Sequence, residues 1–72
     1  MNQYHTTSMA EANYLITLGH EPLEVLTSPT NLKTFVFNGE CREIVGGYYR
    51  DEPVPARTYQ SSFQAVRRLI RG

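Results

Sequence analysis

Cys41 is the one thiol in the 72-residue chain, and it stands where a thiol can be activated. Asn38 is a good N-cap, a helix is expected from Gly39 onward, and the free amides and dipole of a helix start stabilise a thiolate. A thiol nucleophile also needs a base, which His5 or His20 would have to supply. The competing pattern is stronger. Cys41 shares a helical stripe with Ile44, Val45 and Tyr48, and unpaired cysteines rank among the most buried residues, so packing is its expected role. His20 follows the C-terminal end of the first expected helix, a position that favours an imidazolium, and reads as a terminal helix charge.

Other chemistry finds less support. Neither histidine stands at metal-ligand spacing from Cys41, and a Cys/His/His site lacks a fourth ligand. Gly39 and Gly46-Gly47 are not arranged as a Walker loop or a dinucleotide fingerprint. Glu21, Glu24, Glu40, Glu43, Asp51 and Glu52 lack the apolar brackets that raise a carboxyl pKa for acid or base work, and they read as solvated surface. The chain is therefore expected to be non-enzymatic and to need no cofactor or metal.

The arginines carry the strongest signal. From Pro53 to the C-terminus four arginines occur without an acidic residue, whereas the first 52 residues set Lys33, Arg42 and Arg50 against seven carboxylates. A net charge of zero thus conceals a body of −4 joined to a tail of +4. Tyr59, Phe63, Val66 and Ile70 recur at i, i+4, i+7 and i+11, predicting one apolar stripe on a last helix. Arg57, Gln60, Gln64, Arg67, Arg68 and Arg71 fill its other side. Such a face can lie along phosphates while its amides touch base edges, with Tyr49 and Arg50 adding stacking. Arginine and tyrosine are also enriched at protein interface hot spots, so the same residues suit an acidic protein partner. The plainest alternative is a solvated face, since arginine is a good helix former and complements a helix C-terminus. The neutral total counts against nonspecific binding to a polyanion, which usually produces a basic domain.

The elements that position these residues follow from local rules. Ser8 and Glu11 form a capping-box pattern, and Met9, Ala12, Leu15 and Ile16 recur at helical spacing, so a first helix is expected from about Met9 to Leu18. Gly19 suits the left-handed position after a helix, and Pro22 prevents resumption. Leu23, Val25 and Leu26, then Ser28-Pro29-Thr30-Asn31, then Leu32 to Phe37, read as a β-hairpin with Phe35 and Phe37 on one face. A lone hairpin is marginal in water, so Gln3 to Thr6 could add a third strand, and helices are expected over Leu23, Val25, Phe35 and Phe37. The second helix, Gly39 to about Tyr49, is weakened by Gly46-Gly47, each costing about 1 kcal/mol against alanine. Pro53-Val54-Pro55 forces an extended link, with Pro55 placed to open the last helix.

The composition bounds the class. A 72-residue chain with 40% hydrophobic and 19% charged residues is a globular rather than disordered composition, and no apolar run approaches the ~20 residues of a membrane span. One α+β domain over residues 1–72 is expected, soluble and outside the membrane. The single cysteine excludes an internal disulfide, and the first residues lack the basic and apolar regions of a signal peptide, so a cytoplasmic setting is expected. A chain this short often gains stability by association, which points to a homo-oligomer or a partner protein.

Thr6-Thr7 stands before an alanine-rich first helix ending Leu18-Gly19, and the strand Phe35-Val36-Phe37, the pair Tyr48-Tyr49 and Val54-Pro55-Ala56-Arg57 opening a basic last helix follow. Taken together these positions resemble a small domain of unknown function found in phage and bacterial genomes. The resemblance spans nearly the whole chain and implies an architecture and a genomic setting, but no site residues. The reading that follows is a phage or bacterial accessory protein contacting a protein partner through its last helix. The alternative is a nucleic-acid-binding module using the same arginines.

Overall fold

A computed structural model describes the backbone of residues 2–71 and the side chains of residues 2–70. It is an α+β domain in the order β1 (Gln3–Thr6), α1 (Met9–Thr17), β2 (Glu24–Thr27), β3 (Lys33–Asn38), α2 (Cys41–Ile44), α3 (Gly46–Tyr49) and α4 (Ala56–Arg71). The order helix, hairpin, helix, helix stands, with the third strand present at the N-terminus. β3 is the centre of an antiparallel sheet of order β1-β3-β2, with Thr6 and Val25 both in register with Phe35.

Each boundary has a local cause. Ser8 Oγ accepts from the Glu11 amide at 3.2 Å and caps α1. At the other end Gly19 takes φ +95°, which lets the His20 amide reach the Leu15 carbonyl at 3.0 Å and the Gly19 amide reach Ile16 at 2.9 Å. That is the Schellman closure expected of glycine here. The hairpin turn places Asn31 at φ +68°, and Ser28 Oγ accepts from the Leu32 amide at 3.0 Å. The last helix starts one residue later than its proline suggests, because the Pro55 carbonyl accepts the first helical bond, from the Tyr59 amide at 2.9 Å.

The expected second helix is two single turns. Val45 caps α2 and opens α3, and the Gly46-Gly47 pair falls just after the break. Asn38 still turns the chain, its Oδ1 accepting from the Glu40 amide at 3.3 Å, but it closes β3 and does not cap α2.

The core lies between the sheet and α1. Phe35 and Phe37 are fully buried against Ala12, Leu15, Cys41 and Val45, and Val66 from α4 completes the cluster. Six of the nine residues of α1 are buried, because α1 has the sheet on one side and α4 on another. Leu23, expected beneath the helices, is 60% exposed instead. It precedes the first residue of β2, an edge strand of the sheet.

Candidate functional site

The inward side of α4 is a narrow stripe. Val66 is buried in the core and Ser62 is also buried, while Tyr59 and Ile70 are half-buried. Asn13 of α1 fastens the first turn, its Nδ2 donating to the Tyr59 carbonyl at 3.3 Å. Phe63, expected on the buried stripe, is 41% exposed, and Ser62 takes the inward place. The apolar arc of α4 is wider than the arc that its main packing neighbour α1 can cover. Phe63 is left on one flank of the stripe and Leu69, 38% exposed, on the other.

Beyond these flanks Arg57, Gln60, Gln64, Arg67 and Arg68 all stand exposed, within an arc of about 100° at 3.6 residues per turn. Arg71 closes the helix, and its side chain lies outside the described residues. Among the described residues the ion pairs are His20–Glu40 at 3.9 Å and Arg50–Glu52 at 2.9 Å. Arg57, Arg67 and Arg68 thus have no carboxylate partner within 4 Å among them. The Arg67 guanidinium instead lies over the Phe63 ring, 5.7 Å from its centroid, an exposed cation–π contact.

Tyr49 and Arg50 are bonded to residues outside α4. Arg50, expected to add stacking beside Tyr49, pairs with Glu52 through its Nε. Tyr49 is 67% exposed and meets Tyr48 edge-on at 4.9 Å, and its hydroxyl donates to Glu11. No hydrogen bond or ion pair among the described residues joins either of them to α4.

Glu11 is the residue that sequence reasoning missed. A capping box would turn its side chain back to the Ser8 amide, but that amide donates to Thr6 Oγ1 at 3.1 Å. Freed of that duty, the buried carboxylate accepts from Tyr4 at 2.5 Å through Oε1 and from Tyr49 through Oε2. The signal was present: a threonine two residues before a capping serine can take the serine amide for itself. Burial pushes the Tyr4 phenol up to about 12, and the hydrogen bond to Glu11 and the charge of Glu11 add to the shift. Arg42, whose guanidinium lies 5.5 Å from the Tyr4 ring centroid, works against it.

Cys41 is 1% exposed, and burial pushes its thiol up, with the charge of Glu40 adding to the effect. This is the opposite of the activation that a helix start would give. Among the described residues no three His, Cys, Asp or Glu side chains are grouped to hold a metal ion, and no helix is long and apolar enough to cross a membrane.

Two hollows flank these features. Ile16, Pro22, Ala65 and Leu69 wall an open recess of about 370 Å³ between α1 and α4, with Glu21 and Arg68 beside it. The other, about 440 Å³, is polar and lies among Asn38, Gly39, Glu40, Arg42 and Glu43 beside Asn2.

No protein-family model, curated protein or solved structure matches the chain.

Proposed function

We propose that the protein is a small non-enzymatic binding module whose α4 outer face docks on an acidic surface of a protein partner, as an accessory protein of a phage or bacterium would dock on a host machine. The observation that carries this reading is the pairing of Arg67 with the exposed Phe63 on a face where the described arginines have no carboxylate partner. Arginine beside an exposed aromatic is the composition of interface hot spots, and an acidic counterpart would supply the missing charges. A duplex or single strand would use the same arginines on its phosphates, with Gln60 and Gln64 beside them. The protein reading is favoured because a phosphate backbone leaves Leu69 unused and also meets a body of net charge −4.

A photo-crosslinking residue placed at Gln64, with one at Thr30 in the hairpin turn as control, separates the two in cells of the source organism. A discrete protein adduct from position 64 that disappears in Arg67→Ala/Arg68→Ala supports the reading. Adducts to nucleic acid in its place, or a pattern identical to that from position 30, overturn it.

A further inference from the structure

The recess beside α4 says what the partner must carry. Its walls come from two elements: Ile16 and Pro22 from α1 and the segment after it, and Ala65 and Leu69 from one side of α4. Ile16 and Pro22 are half-buried and Ala65 and Leu69 exposed, so the hollow opens outward beside the arginine arc. At about 370 Å³ it is at the small end of ligand-sized pockets and has room for one large apolar side chain. Two charged residues, Glu21 and Arg68, also line it. Arg68 belongs both to the recess and to the arginine arc, whereas Glu21 comes from the segment between α1 and β2. The two are more than 4 Å apart, since no ion pair joins them.

Resting on the reading of α4 as a protein-docking face, we infer that this recess takes an apolar anchor residue of the partner, flanked in the partner's sequence by acidic residues. The anchor fills the space between Ile16, Pro22, Ala65 and Leu69, and the neighbouring carboxylates reach Arg68 and then Arg67. Glu21, which also borders the recess, repels acid, so the partner's acidic residues are favoured at Arg68 and disfavoured beside Glu21. Two kinds of complementarity therefore meet at Arg68. Apolar burial in the recess gives grip, and Arg67 and Arg68, which lack carboxylate partners among the described residues, give direction and register.

A random peptide library displayed on phage and panned on the full chain tests this directly, since the library itself supplies the candidate anchors. The recovered clones are then measured as synthetic peptides by fluorescence anisotropy. Ala65→Trp fills the recess, and Leu69→Ala removes one wall; both positions are exposed, and circular dichroism checks that each variant folds. The expected result is a consensus with one large apolar residue and at least two nearby acidic ones. Its affinity should fall at least about tenfold in Ala65→Trp and in Arg68→Ala, the loss of a hot-spot contact. Acidic peptides without an apolar anchor, bound equally by Ala65→Trp, would overturn the recess while leaving the α4 reading in place. Peptides insensitive to Arg67→Ala and Arg68→Ala would overturn both.

Discussion

The hydroxyl of the exposed Tyr49 donates to the carboxylate of the buried Glu11, 38 residues earlier in the chain. Tyr4 holds the other oxygen, so one side chain ties β1, the first turn of α1 and the end of α3 together. Hydrogen bonds to a charged acceptor contribute about 1.5–3 kcal/mol where they are shielded, and less where one partner is open to water. Glu11→Ala, which removes both bonds and leaves the half-buried Tyr4 hydroxyl without its partner, should cost about 2–3 kcal/mol in urea unfolding. Tyr49→Phe, which removes the exposed bond alone, should cost no more than about 1 kcal/mol. Equal losses in the two variants would mean that the carboxylate is not the hub.

The Tyr4 phenol gives the fold an alkaline limit. Its pKa is raised from 10.0 in the unfolded chain to about 12 in the folded one. Between those values the native state keeps a proton that the unfolded state has lost, so stability falls as pH rises through the window and is undiminished by this group below pH 10. Denaturant midpoints measured from about pH 9 to about pH 12 should decline more steeply for the parent chain than for Tyr4→Phe. Parallel declines would assign the alkaline loss to other groups.

Gly47→Ala sets two effects against each other. Alanine favours the helix by about 1 kcal/mol. Yet a Cβ at this position would run into the Tyr14 hydroxyl and stand 2.6 Å from Glu52 Oε1. Glu52 is exposed and can swing aside, whereas Tyr14 is 4% exposed and braced edge-on against Tyr48 at 5.9 Å. Overpacking of this kind costs about 1–3 kcal/mol, so the substitution should lower the melting temperature despite the better propensity. Adding Tyr14→Phe, which removes the clashing oxygen, should recover part of the loss; a stabilised Gly47→Ala would show that Tyr14 gives way.

The parts of the fold legible in sequence are those decided within a few residues. Ser8, Gly19 and the Ser28–Asn31 turn each act through a local backbone bond, and all three stand where local chemistry puts them. Strand alternation puts Phe35 and Phe37 on one face, although Val36 between them is buried as well. The inward choice of Ser62 over Phe63 could not be read this way, because the helical period fixes an apolar side but not how much of it a neighbour covers. Glu11 was hidden for a related reason: its partners Tyr4 and Tyr49 lie in other elements and become neighbours only once the sheet and α3 are in place. Of the candidate site, the arginine arc was legible as a periodicity, whereas the neutralisation of Arg50 by Glu52 and the recess beside Arg68 arise from the folded geometry.

Helix α4 divides its labour between two sides of one cylinder, with Val66 and Ser62 facing the domain and Arg57, Gln60, Gln64 and Arg67 facing away from it. Substitution on the outer side leaves the buried cluster unchanged, so the exposed positions of this one helix can vary in sequence without a cost to the fold. The constraint of folding thus falls on only some letters of this sixteen-residue segment, and the outer letters are left open to the docking role proposed for them.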